Sequence, residues 1–319
     1  MESNWAITSY YNPLRGAHRR RNYDVFRRHL RMPLLTVEWS PEGRFELGPR
    51  DAEILVQLAG GGLLWQKERL LNVALGRLPA ECSCVAWLDC DIVFHDPDWA
   101  PPAARLCERH AVVQLYQTSH DLAPTSGTLA GLDQVLATPR QSTRPSMFSL
   151  QRKSSPLFDA AGFASGASDP NFKPRGKVGM AYMARTELLR RIGLYDANVV
   201  GGGDLVFVAA ILGKLDELFA VRPFAPGHAD SIRAWARALG PGPLVTEPAR
   251  ACLPVEVSHL VARGQGPAHL RGPLPAARGH RVRPRARSRP QRVRRLGLGP
   301  HAHTVRTAVG EYLGGRADA

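Results

Sequence analysis

The chain opens with a mostly apolar run, residues 4–11, that stops at Asn12-Pro13; this reads as a first strand ended by a turn. Residues 15–32 are basic but carry Tyr23, Phe26 and Leu30 on one side. They predict an amphipathic helix in which Arg19, Arg20 and Arg21 form a solvated basic face, or else steer an anionic donor. Residues 33–40 predict a second strand. Residues 51–59 predict a short strand broken at Gly60-Gly61-Gly62, and Leu63, Leu64, Leu70, Leu71, Val73 and Ala74 then predict a helix to about Arg77. The run from Cys82 to Phe94 is almost continuously apolar. It predicts the most central strand, buried on both faces. Residues 101–110 predict a helix and 111–118 another strand, and this alternation argues for an α/β fold with a largely parallel sheet.

The pattern then changes. Residues 119–177 are polar and rich in Gly, Pro and Ser, which predicts a lid or binding region with little regular structure. Order resumes with a strand after Lys177 and a helix over Thr186–Ile192, with Gly193 as its C-cap. Behind three glycines, Gly201 to Gly203, an apolar helix is predicted over Asp204–Leu212. From about Pro241 the periodicity fades into Arg/Pro/Gly-rich text.

Charge changes the picture more than composition does. The formal net charge is +14, but residues 257–319 hold thirteen arginines against two acids, leaving only +3 for residues 1–256. The basicity therefore belongs to the end of the chain. Residues 1–256 read as one α/β domain, and residues 257–319 as a tail too charged and too poor in apolar side chains to form a core, hence disordered. The texture breaks abruptly near Leu260. Such text would arise from a reading-frame change in a GC-rich gene, or would be a basic tail that binds nucleic acid. No run of about 18 apolar residues marks a membrane span. The N-terminus lacks a basic then apolar leader, and five cysteines without zinc spacing read as reduced thiols in a cytoplasmic protein.

The candidate chemistry sits where the central strand ends. Asp89 and Asp91 form a D-x-D directly behind buried residues, and unpaired carboxylates are costly to bury. In open parallel sheets ligands bind at the carboxyl ends of strands, and two carboxylates there can hold a hard cation such as Mg²⁺ or Mn²⁺ that bridges a diphosphate. Solvated acids are the plainer reading of the same two residues.

Five stretches occur in one order: AITSYYNP, LLWQKERLLNVAL, VAWLDCDIVF, GKVGMAYMARTELLRRIGLYD and GGGDLVF. Together, over residues 4–230, they resemble the nucleotide-sugar glycosyltransferases of the GT-A fold, in the galactosyltransferase-like branch. The resemblance implies a mixed twisted sheet flanked by helices. It implies metal-dependent transfer of a hexose, galactose or a relative, from a UDP-sugar to an acceptor hydroxyl with inversion. Residue by residue, it implies that Thr8, Ser9 and Tyr10 lie near the base, and that Arg69 and Asn72 approach base, ribose or phosphates. Asp89 would hold ribose or metal, and Asp91 metal and diphosphate. Gly179, with Met180 and Ala181, would pass the donor sugar. Asp204 would take the proton from the acceptor hydroxyl. His259, with His228 as the alternative, would complete the metal set.

This sequence departs from the family in two places. Relatives carry an acidic pair where this chain has Gly203-Asp204, and their late histidine is followed by more ordered text. Two other functions stay open: a haloacid-dehalogenase-type phosphatase using the D-x-D with Val93 two residues on, and nucleic-acid binding through the tail. For single residues the plain readings are a solvated helix face for Arg69 and a helix N-cap for Asp204.

Overall fold

In the computed structural model, residues 3–61, 66–125, 129–150, 156–158, 174–198, 201–222, 224–239 and 250–260 are described. The expected start of a helix at Leu63 and Leu64, and the whole basic tail from residue 261, lie outside them.

The first half follows the predicted alternation. β1 (Ser3–Tyr11), α1 (Ala17–His29), β2 (Leu34–Ser40), β3 (Ile54–Ala59), α2 (Lys67–Leu75) and β4 (Cys82–Leu88) succeed one another. They are followed by β5 (Ile92–Phe94), α3 (Ala100–Arg109) and β6 (Val112–Gln114). β1 pairs in parallel with both β2 and β4, and β2 with β3. The period-2 alternation of β4 explains its continuous apolar text: Val85 and Trp87 enter one core, and Cys84, Ala86 and Leu88 enter the core on the other face.

Three features sharpen or correct the expectations. First, the sheet is largely parallel as expected and mixed through one strand: β9 (Ala181–Arg185) runs antiparallel between β4 and β6. With β10 (Arg250–Cys252) it completes the seven-stranded order β10-β6-β9-β4-β1-β2-β3, flanked by helices as the resemblance implies. Second, residues 82–94 are not one strand. β4 ends at Leu88, and β5 begins a four-stranded sheet in the order β5-β11-β7-β8. A buried strand reads as apolar in whichever sheet it lies, so the text carries no mark of the change.

Third, part of the stretch expected to lack regular structure supplies that second sheet. It contains β7 (Thr118–Leu122), α4 (Leu132–Ala137), β8 (Arg140–Pro145) and α5 (Met147–Leu150). β8 is polar because it is an edge strand with much of its surface exposed. The remaining strand, β11 (Glu256–His259), pairs parallel to β7 and antiparallel to β5. It spans the position where composition divides body from tail.

α6 (Thr186–Ile192) has the predicted bounds, and Gly193 closes it at a left-handed φ of 65°. α7 (Gly203–Ile211) starts one residue earlier than expected. It is apolar on all sides and accordingly buried, with residues 205–211 all in the core. Two further helices, α8 (Leu215–Val221) and α9 (Pro226–Ala238), have no counterpart among the predicted elements. Pro226 in the first turn of α9, with Ile232, Trp235 and Ala236 at helical spacing, was a legible signal.

Candidate active site at the end of β4

Past Leu88 the chain turns through Asp89-Cys90-Asp91 before entering the second sheet. Thr8 fastens this end of β4 to β1, its hydroxyl donating to the Leu88 carbonyl at 2.7 Å. On the other side the Asp89 N–H donates to the Met180 carbonyl at 2.8 Å. Met180 sits at φ 82°, a conformation that costs a residue with a side chain of order 1–3 kcal/mol and recurs at functional sites. That turn brings Gly179 against Asp204: a Cβ on residue 179 would come 2.8 Å from Asp204 Oδ2. A side chain there would have to displace the Asp204 carboxylate, which a glycine leaves in place. Tyr116 holds the same turn, its hydroxyl donating to the Gly179 carbonyl at 2.7 Å.

Asp89 faces α2 and α7. Lys67, in the first turn of α2, places Nζ 2.5 Å from Asp89 Oδ1 and 3.0 and 3.2 Å from the two oxygens of Asp204. Burial works against the ammonium, but Asp204, Asp89 and Glu68 outweigh it and hold the lysine charged. Burial likewise pushes the Asp89 carboxyl up, opposed by Lys67. Asp204 lies inside α7. Gly202, at φ 91°, is the N-cap residue, and no side chain caps this helix. The plain reading of Asp204 as an N-cap is therefore corrected.

The neighbouring Glu68 is buried, and its carboxylate covers Gly203, where an added Cβ would fall 2.0 Å from Oε1. Only one acid stands at 203–204 in the sequence, and the fold sets a second carboxyl over that turn from α2. Burial first, then Asp204, pushes the Glu68 carboxyl up to about 7 against the pull of Lys67.

Asp91 faces the other way, toward α1 and β11. Arg19 Nη1 lies 3.4 Å from its Oδ2, so this arginine turns inward from the face expected to be solvated. Arg20 pairs instead with Asp24 and Asp51. His259 Nε2 lies 3.6 Å from Asp91 Oδ1, and its Nδ1 lies 3.0 Å from Asp121 Oδ1. Asp121 in turn accepts from Lys177 at 2.8 Å and from Ser142 at 2.6 Å. Burial opposes charge on His259, but Asp91 and Asp121 outweigh it and raise the imidazole to about 9. Asp121 sits well below the usual carboxylate range: burial alone would raise it, and His259, Lys177 and Ser142 override that. Of the two histidines considered, His259 is the one that meets Asp91. His228 packs among aromatic rings, 5.1 Å from Phe224 and 6.0 Å from Tyr195.

The structure thus brings Asp89, Gly179 and Asp204 into one cluster, and Asp91 and His259 into another. Ser9 and Tyr10 are buried near the end of β1, with the Tyr10 hydroxyl donating to Glu46 at 2.5 Å. Arg69 is half exposed and pairs with Asp196 at 3.6 Å. Asn72 spends its amide on the turn after α6, accepting from Leu194 N–H and donating to Leu194 O, both at 2.8 Å.

Lys67, Glu68 and Asp121 are not among the residues the sequence singles out, whereas Arg19 is, as one of three arginines that could steer an anionic donor. One signal was available for the first two. In a parallel sheet the first turn of a helix lies at the carboxyl edge, where ligands bind, so Lys67 and Glu68 were better placed than Arg69 or Asn72. Val93, which the phosphatase reading needs beside the D-x-D, is buried in β5 opposite Ser258.

No family model matches the chain, and no curated protein does. Among solved structures it is similar to S. aureus TarS residues 1–349, at 13% identity over 73% of this chain and 70% of that one, with a TM-score of 0.35. The same TarS fragment in complex with UDP-GlcNAc gives 13% identity over 64% and 52%, with a TM-score of 0.34. M. tuberculosis glucosyl-3-phosphoglycerate synthase gives 12% identity over 98% and 81%, with a TM-score of 0.40. These are distant likenesses, and the chemistry proposed below rests on the side chains of this chain.

Proposed function

We propose that this protein is a glycosyltransferase of the GT-A kind, moving a hexose from a nucleotide diphosphate sugar to an acceptor hydroxyl. The observation that carries the reading is the convergence, at the carboxyl end of a central strand, of the D-x-D turn, the glycine at 179 and the carboxylates of Asp204 and Glu68. A bare-backbone approach lets a sugar lie against Gly179, and a carboxylate beside it can take a proton from an attacking hydroxyl. Asp204 is the general base in this reading, and Lys67 fixes its orientation by touching both of its oxygens. Glu68 is the second carboxyl in reach, and a value near 7 suits proton transfer at neutral pH.

A divalent ion, Mn²⁺ or Mg²⁺, fits the other half of the site. Asp91 offers a carboxylate, and His259 turns Nε2 toward it while Asp121 holds the opposite ring nitrogen, the arrangement that orients a ligating imidazole. Asp89 is less available, since Lys67 occupies it. Such an ion would neutralise the leaving diphosphate. Arg19, beside Asp91, adds a second positive charge for the same phosphates. UDP as the nucleotide, galactose as the sugar and inversion at the anomeric carbon follow the sequence resemblance.

The test is calorimetry of UDP and of a panel of UDP-sugars with and without Mn²⁺, followed by release of UDP in the presence of sugar acceptors. Binding and acceptor-dependent release are expected. Turnover of a small phosphoester without UDP binding would replace this reading with the phosphatase. Steeply salt-dependent binding of RNA or DNA alone would replace it with the nucleic-acid binder.

A further inference from the structure

A second cluster of ligating side chains lies on the four-stranded sheet, apart from the D-x-D turn. Strand register assembles it. Glu256 and Ser258 lie on one face of β11, since side chains alternate along a strand. The antiparallel pairing of Val257 with Phe94 sets His95, just past β5, opposite Glu256. The parallel pairing of Ser258 with His120 sets His120 of β7 beside them, and His120 pairs in turn with Thr143 of β8. Three strands and the residue that follows β5 thus present their polar side chains at one spot.

The two imidazoles converge on a single oxygen. His95 Nδ1 lies 3.3 Å and His120 Nε2 2.9 Å from Glu256 Oε2, and the rings stack at 5.4 Å. One ligand atom from each residue lies within 4.8 Å of the others. Nitrogens and oxygens bound 2.0–2.1 Å from a tetrahedral ion stand about 3.3 Å apart, so small movements suffice for all three to bind one ion. The outer ring nitrogens are also held: His95 Nε2 lies 2.8 Å from Ser258 Oγ, and His120 Nδ1 lies 2.9 Å from Thr143 Oγ1. Hydroxyls accept as well as donate, so each can take the outer N–H of an imidazole that ligates through its inner nitrogen. His120 is fully buried while the Glu256 side chain is half exposed, and on that exposed side a half-exposed Arg140 brings Nη2 to 3.9 Å from the same oxygen, a cation the ion would have to displace.

We propose that His95, His120 and Glu256 form a site for one divalent transition-metal ion of the zinc type, fastening β11 to β5 and β7. Two histidines and a glutamate with a fourth position open is a donor set zinc accepts. β11 also carries His259, so the ion would act as a clasp on the strand that meets Asp91. The site is separate from the D-x-D and does not depend on the sugar-transfer reading.

The experiment uses the full chain, stripped with a chelator and then titrated with Zn²⁺ against a chromophoric competitor, with Co²⁺ as the spectroscopic substitute. One tight equivalent is expected, with the visible absorption of a low-coordinate Co²⁺ ion and a Zn²⁺-dependent rise in melting temperature. Glu256→Gln, at an exposed position, and His95→Gln, at a partly buried one, should each weaken Zn²⁺ binding at least tenfold and abolish that rise, whereas Asp91→Asn should leave both intact. No tight equivalent in the parent would overturn the site, leaving Glu256 as the shared polar partner of two imidazoles. Undiminished binding in both cluster variants would overturn it too. Loss on Asp91→Asn alone would overturn it by assigning the zinc to the D-x-D.

Discussion

Asp89 and Asp91 stand one residue apart, yet they meet different parts of the fold. Asp89 shares a buried lysine with Asp204, next to a glutamate whose carboxyl is raised to about 7. Asp91 meets an arginine from α1 and an imidazole from β11, the latter held from behind by Asp121 and Lys177. The first half has carboxyls in excess of cations beside a glycine-rich turn, which suits handling a proton. The second half has its ring and guanidinium fixed in direction, which suits holding phosphate and a metal ion. A single short motif thus joins two electrostatic networks, because the chain leaves one sheet and enters another between its two acids.

The sharpest way to break that comparison is Asp204→Asn. It keeps the shape and removes the basicity, so turnover should fall about 10²–10⁴-fold with donor affinity retained. Unchanged turnover would move the proton to Glu68. Next in size is Lys67→Met, which leaves Asp89 and Asp204 facing each other without their cation. Removing one partner of a buried pair costs about 3–5 kcal/mol, to be read by urea unfolding at neutral pH. A loss under 1 kcal/mol would show that the lysine is not the centre of the first network.

Glu68→Gln tests the same network through pH. Between the ordinary value of 4.5 and the folded value of about 7 the folded state binds more protons, so stability falls as pH rises through that window. Asp204, Lys67 and Asp89 are the charged groups facing it. The variant should therefore gain on the parent above pH 7, by up to about 3 kcal/mol, and gain nothing below pH 4.5. An equal effect at both ends would show that the glutamate is not forced neutral.

On the Asp91 side, Asp121→Asn should weaken Mn²⁺-dependent donor binding about 10–100-fold while Mn²⁺-independent binding changes little, because His259 loses the partner that orients it. The smallest effect is expected from shortening the chain to Leu260. Residues 261–319 lack apolar periodicity, and the melting temperature should stay where it is. A drop of several degrees would show that the tail packs on the body.

Much of the first sheet was legible because its strands are short and mostly apolar, and β1, β3 and β9 are each followed by a helix with its own period. Gly179 and Asp204 were legible through resemblance alone; no spacing rule joins residues 25 apart. Lys67 and Glu68 looked like the ordinary solvated charges of a helix start, and nothing local marks them as buried. The second sheet was illegible for a different reason. β8 is polar at an edge, and β7 and β11 carry the histidines and acids of two clusters, so their alternation is chemical rather than apolar.

By itself, the sequence determined where apolar runs of strand or helix length begin and end, because hydrophobic period and the positions of Gly and Pro are local properties. It fixed β4 as a strand buried on both faces, α6 with its glycine stop, and α7 as a helix for the interior. Only the tertiary structure decided which charges meet. Lys67 touches Asp204 across 137 residues, His259 touches Asp121 across 138, and His120 touches Glu256 across 136. Coulomb and hydrogen-bond energies depend on distance in space and on the water excluded between the groups. Neither quantity exists until strands from both ends of the chain lie side by side.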